Sequence, residues 1–182
     1  MFNRFKSLVA TPKNSFERTT GNFNYTGAYI SINNKLAYRY DSRSPDEIKK
    51  NGFAGTLSRD TEEIRVFGEQ NVFASRSKEG AKKFLDINQY VGREKIQHLY
   101  EINTKGMPTF SFVENKNINS DALIENIAEF TLQRALVEFP RDQARLFARE
   151  AIENLYCSVD ELHINGPIPS SRIKHITTIL VK

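Results

Sequence analysis

Three short runs carry residue types that could do chemistry together. The first is Tyr38-Arg39-Tyr40-Asp41-Ser42-Arg43-Ser44-Pro45-Asp46-Glu47. Leu36, Tyr38 and Tyr40 alternate with Ala37 and Arg39, which predicts a short strand turning Arg39 to the face opposite the tyrosines. Ser44-Pro45-Asp46-Glu47 then reads as a helix start, with Ser as cap, Pro at the first helical position and Glu three residues after the cap. Asn51-Gly52 supplies the stop. A guanidinium fixed between a strand and a helix start suits phosphate oxygens, onto which Arg forks bidentately; the plainer alternative is a corner where Arg39 pairs a carboxylate. The second run, Phe73-Ala74-Ser75-Arg76-Ser77, stands before a helical pattern. A Ser hydroxyl can donate to a carboxylate while accepting from another group, or it can simply cap the helix. The third is Val159-Asp160-Glu161-Leu162-His163. Strand alternation puts Val159, Glu161 and His163 on one face, so that Glu161 is partly desolvated, as an electrostatic catalyst or as a carboxylate in an edge salt bridge.

The elements that must position these runs follow from composition and pattern. With 182 residues the chain suits one domain, burying roughly 70% of its unfolded surface. Its one cysteine, Cys157, can form no internal disulfide, which points to work in a reducing compartment. No apolar run approaches membrane-span length, and Leu8-Val9-Ala10 is too short for a Sec-type signal. Residues 1–43 hold seven Lys/Arg against Glu17 and Asp41, a net +5, so the other 139 residues sum to −1. These cations are scattered among Ser, Thr and Asn, and residues 1–30 read as a polar, basic leader.

Strands are expected at 36–40, 98–103, 109–113, 159–164 and 172–181. Helices are expected at 45–51, after Ser77 with Ala81, Phe84, Leu85 and Val91 inward, and over 120–156. In this last block Ser120 caps a helix that buries Leu123, Ile124, Ile127, Phe130, Leu132 and Ala135. Pro140 breaks it, and a second helix buries Leu146, Phe147, Ile152 and Leu155. Strands first, a helical block, then strands is an α+β order. His98, His163, His175 and Cys157 lack ligand spacing, so no metal is expected.

In order and spacing the three runs resemble the mono-ADP-ribosyltransferase toxins of the cholera and pertussis type. Tyr38-Arg39-Tyr40-Asp41-Ser42-Arg43 is similar to the family's NAD-binding segment, and Ser75-Arg76-Ser77 to its Ser-Thr-Ser element, with Arg76 in place of Thr. Glu161 followed seven residues later by Ile168-Pro169 is similar to its catalytic Glu and Ile-Pro pair, and Leu99-Tyr100-Glu101-Ile102 to its central strand. The resemblance covers residues 36–182. It implies an ADP-ribosyltransferase-like split β core over residues 31–182, with 120–156 as an inserted helical block whose end, Glu153 to Asp160, forms the loop that faces a protein substrate.

The resemblance further implies cleavage of NAD at the nicotinamide–ribose bond, with transfer of ADP-ribose to a target protein. Arg39, Ser75 and Glu161 are the implied catalytic residues. Arg39, Asp41, Arg43, Ser75, Ser77 and Glu161 are the implied NAD-binding set. Arg39 holds the diphosphate, Arg43 lies near the adenylate, Ser75 positions Glu161, and Glu161 binds the ribose 2′-hydroxyl. The pocket histidine of some relatives is missing, since none lies between Arg39 and Ser75. Where arginine-modifying relatives carry Glu two residues before the catalytic Glu, this chain has Val159, which favours Thr, Ser or Cys as acceptor over Arg. The expected protein is a monomeric toxin or effector, secreted or translocated by a specialised machine into the cytosol of a host or competitor cell. An NAD glycohydrolase, a transferase onto nucleic acid and an inactive binding module remain the alternatives.

Overall fold

The computed structural model describes residues 29–32, 36–54, 71–87, 96–134 and 140–181. The expected mixture of helices and antiparallel strands is present. Among the described residues seven strands form one sheet: β1 (Ile30–Ser31), β2 (Leu36–Asp41), β3 (Asn71–Ser75), β4 (Ile96–Asn103), β5 (Thr109–Ser111), β6 (Glu161–Asn165) and β7 (Ile173–Leu180), in the order β1-β5-β6-β3-β2-β4-β7. Every described pairing is antiparallel. Five helices accompany them among the described residues: α1 (Pro45–Asn51), α2 (Lys78–Ile87), α3 (Phe112–Ile118), α4 (Ser120–Arg134) and α5 (Arg141–Ala151). A π-helical turn, Ile152–Cys157, prolongs α5, and a 3₁₀ turn, Ser170–Arg172, leads into β7.

The sheet has a seam. β2 pairs with β4 at six positions and β3 with β6 at five, yet β2 and β3 share one, Tyr38 with Ser75. The chain compensates with a side chain: the Arg39 guanidinium donates to the Phe73 carbonyl oxygen at 2.7 Å, across the strands that part. Among the described residues two cores lie against the sheet. Ala37, Ile48, Phe53, Tyr100, Leu162 and Ile164 belong to one, which α1 closes. Ile30, Phe110, Phe112, Leu123, Ile127, Ala144 and Ala148 belong to the other, under α3–α5.

Local signals set the boundaries nearest the seam. Ser44 and Glu47 form the reciprocal capping box, and Gly52 ends α1 at φ 63, the left-handed region where a side chain is strained. The Ser77 hydroxyl accepts from the Gly80 amide at 3.0 Å and starts α2. The Ser111 hydroxyl does the same for Glu114 at 3.3 Å, so the strand expected over 109–113 stops at Ser111 and Phe112 opens a helix. The run 71–75, which carries no strand expectation, is β3.

Several expected inward residues are placed differently. Leu146 and Phe147 are 58% and 53% exposed; α5 buries Ala144 and Ala148 instead, because small side chains let it approach α4 closely. Phe84 is 37% exposed, while Ala81 and Leu85 are buried as expected. Leu123, Ile124 and Ile127 are buried, with Phe130 and Leu132 packed against them. Ser120 lies within α4, and the carbonyl of Asn119 accepts its first helical bond, from Leu123 at 3.0 Å. The strand expected from 159 begins at Glu161. Val159 and Asp160 still donate their amides back to Leu155 and Cys157, at 3.1 Å each, and Asp160 sits at φ 52. The segment expected as a loop from Glu153 is therefore helical through Cys157, and the simple alternation of Val159 with Glu161 does not apply. Val91, Ala135 and residues 1–28 of the leader lie outside the described residues. Ile30, at the expected end of that leader, pairs with Phe110 in the sheet. Among the described residues no helix is long and apolar enough to cross a membrane.

Candidate active site

A cavity of about 350 Å³ opens at the seam between β2 and β3. Its wall includes Arg39 and Asp41 from β2, Ser75 from β3 and Glu161 from β6, with Tyr38, Tyr40, Phe73 and Phe84 as aromatic surfaces. Ser75 pairs with both Tyr38 and Glu161 across the sheet, so these three share a face. Arg39 and Asp41 stand on the other face of β2 and reach the same cavity where the strands part. Three residues separated by 36 and 86 positions in sequence are thus neighbours at one opening.

Asp41 organises the cationic side. One of its oxygens takes the Arg39 Nε at 3.0 Å and an Arg43 terminal nitrogen at 2.7 Å; the other takes the Arg43 Nε at 2.8 Å and its amide at 3.1 Å. Burial alone would raise this carboxyl, but the Arg43 hydrogen bonds and the Arg39 charge outweigh it and hold it at about 2. The Asp41 hydrogen bond in turn raises Arg43. Both guanidiniums lie over the Phe53 ring, at 5.6 and 5.1 Å from its centroid. The Tyr100 hydroxyl donates to the Arg43 carbonyl oxygen at 2.7 Å, and burial with the Asp41 charge pushes that phenol up to about 12. Arg39 does pair a carboxylate, as the plainer reading of the strand–helix corner had it, and it also faces the cavity. Arg43 braces Asp41 and is not part of the cavity wall.

On the opposite side the hydroxyl of Ser75 donates to the Val159 carbonyl oxygen at 2.7 Å and accepts from the Ser77 amide at 3.2 Å. It fastens the turn before Glu161 rather than the Glu161 carboxylate. Ser77 caps α2 and stays off the cavity wall. Gly80 completes the arrangement, since a Cβ there would overlap both the Ser75 hydroxyl and the Val159 carbonyl oxygen. Arg76 ties the same turn from outside. Its Nε meets Asp160 at 2.7 Å, a terminal nitrogen meets Glu114 at 3.2 Å, and its amide donates to the Asp160 carbonyl oxygen at 3.0 Å.

Glu161 is 8% exposed, and one of its carboxylate oxygens lies 2.7 Å from His163 Nε2. His163 has no exposed surface. The sequence placed it on the Glu161 face but gave it no part in the site; spacing by two on a strand was the available signal. Among the described residues no group of three or more His, Cys, Asp or Glu is arranged to hold a metal ion.

No protein-family model and no curated protein matches the sequence. Among solved structures the chain is similar to the nicked form of CARDS toxin, at 24% identity over 78% of this chain, with a TM-score of 0.45. It is similar to full-length CARDS toxin at 22% identity over 82% of this chain, with a TM-score of 0.45. The match spans 24% and 28% of those two chains. A third similar structure, EcPltA, is 14% identical over 82% of this chain and 87% of its own, with a TM-score of 0.41.

Proposed function

We propose that this chain is a mono-ADP-ribosyltransferase toxin or effector that cleaves NAD and transfers ADP-ribose to a Thr, Ser or Cys side chain of a target protein. The observation that carries this reading is the meeting of Arg39, Ser75 and Glu161, from three separate runs, at one cavity. The cavity's chemistry fits a dinucleotide: a fixed guanidinium for the diphosphate, aromatic surfaces for flat rings, and a volume within the range of small-molecule sites. Arg39 keeps its Nε on Asp41 and one terminal N–H on the Phe73 carbonyl oxygen, and offers its remaining N–H groups to the phosphate oxygens. Glu161 binds the ribose 2′-hydroxyl and stabilises positive charge on the ribose as the nicotinamide–ribose bond breaks. The bonding pair leaves on the nicotinamide nitrogen. The acceptor's oxygen or sulfur then bonds the anomeric carbon and gives up its proton to solvent. In this reading 120–156 is the added helical block, and the turn 158–160 beside Glu161 faces the target.

Glu161→Ala tests the assignment. The carboxylate acts where charge develops, so NAD cleavage should fall by about 10²–10³ while the fold is retained. Retention of most activity by a folded Glu161→Ala protein would overturn it.

A further inference from the structure

We propose that His163 is the positioning residue for Glu161, holding the carboxylate in its working orientation from behind the site; this rests on the transferase reading above. The geometry is specific. His163 Nε2 stands 2.7 Å from Glu161 Oε1, two residues along the same strand and on the same face. A carboxylate only accepts hydrogen bonds, so the proton between them sits on Nε2. The ring itself is locked. Phe73 meets it edge-on at 4.6 Å between centroids, with Phe112 at 5.4 Å and Phe110 at 5.5 Å. Those rings belong to β3, β5 and α3, so three elements fix one imidazole, which in turn fixes one carboxylate oxygen.

Placement separates this role from catalysis and from simple packing. His163 is fully buried and absent from the cavity wall, whereas Glu161 lines it. The imidazole therefore cannot touch a substrate in the cavity. A hydrogen-bonding ring is also an odd choice among three phenylalanines unless its nitrogen is used. Ser75, the other candidate for orienting Glu161, spends its proton on the Val159 carbonyl oxygen. Catalytic groups need their orientation fixed, since a displacement of about 1 Å can cost on the order of 10²-fold in rate.

The test uses two amides that differ in where they put their nitrogen. In His163→Gln the side-chain nitrogen can occupy the Nε2 position; in His163→Asn it reaches only as far as Nδ1. Both bury one amide among the same rings. We expect His163→Gln to keep kcat for NAD cleavage within about threefold of wild type, and His163→Asn to lose about tenfold or more at unchanged KM for NAD. A folded His163→Asn protein with wild-type kcat, or equal losses in both variants, would overturn the proposal. A histidine ¹⁵N spectrum tests the contact itself, independently of activity. The His163 signal, assigned through its contacts with the phenylalanine rings, should show a proton on Nε2 that shifts in Glu161→Gln, and a bare Nε2 would overturn the proposal. If wild-type protein cleaves no NAD while this spectrum holds, the transferase reading fails and the His163–Glu161 lock stands.

Discussion

Asp41 shows how a single side chain sets the electrostatics of the site. With its side chain 7% exposed, it is charged because Arg39 and Arg43 surround it, and it keeps both guanidiniums aimed beside the cavity. An acid held below its unfolded value of 3.8 stabilises the fold above about pH 4, and that contribution drains away as pH falls through about 2. The difference between 3.8 and about 2 corresponds to about 2 kcal/mol. Asp41→Asn should therefore be about 2 kcal/mol less stable at neutral pH, and the gap to wild type should close between pH 4 and pH 2. Urea unfolding at a series of pH values measures this. A gap that stays constant with pH would mean that Asp41 contributes through packing and not through its charge.

Helix starts and stops are the elements most legible in the sequence, because the residues that make them are neighbours in the chain. Ser44 with Glu47, Gly52, and Ser77 ahead of α2 are all where pattern reading puts them. Faces were harder. Leu146 and Phe147 look like the buried stripe of α5, but the distance to α4 selects Ala144 and Ala148, and no local pattern encodes a distance between helices. Likewise Ser75 and Glu161 become partners only through the β3–β6 register, and Asp160 at φ 52 breaks the alternation that would have aligned Val159 with Glu161. Gly80 is another consequence of contacts far apart in sequence. In an isolated helix Ala would be favoured over Gly by about 1 kcal/mol. Here α2 runs so close to β3 and the 158–160 turn that a methyl group overlaps the Ser75 hydroxyl and the Val159 carbonyl oxygen. Gly80→Ala should cost about 1–3 kcal/mol, the usual penalty of overpacking, and lower activity by moving Glu161. A variant with a raised Tm would show that α2 can withdraw without strain.

At the scale of the whole molecule, the sheet behaves as two plates, β1-β5-β6-β3 and β2-β4-β7, joined at one paired position and bridged by the Arg39 contact to Phe73. The cavity spans that seam, with the cationic side on one plate and the carboxylate on the other, so in the proposed transferase the relative placement of the plates would set the distance between diphosphate and ribose. In the proposed reaction the target would approach the rim on the carboxylate side. There Val159 is buried and gives its carbonyl oxygen to Ser75. Asp160 in the turn and Glu114 are both engaged by Arg76. An incoming guanidinium would find both already paired, and Glu161, the carboxylate on the cavity wall, is held by His163 and committed to the ribose in the proposed reaction. A neutral hydroxyl or thiol has no such need, since it requires only an approach to the anomeric carbon. The product linkage should accordingly be a Ser or Thr O-glycoside, stable to neutral hydroxylamine, or a Cys thioglycoside released by mercuric ion. Arg76→Ala would free Asp160 and Glu114, and should raise transfer onto arginine relative to wild type. Mass spectrometry of modified target-cell lysate reads both results. A hydroxylamine-labile adduct, mapped by fragmentation to an arginine in the wild-type reaction, would refute the acceptor assignment and leave the cleavage of NAD to be judged on Glu161 alone.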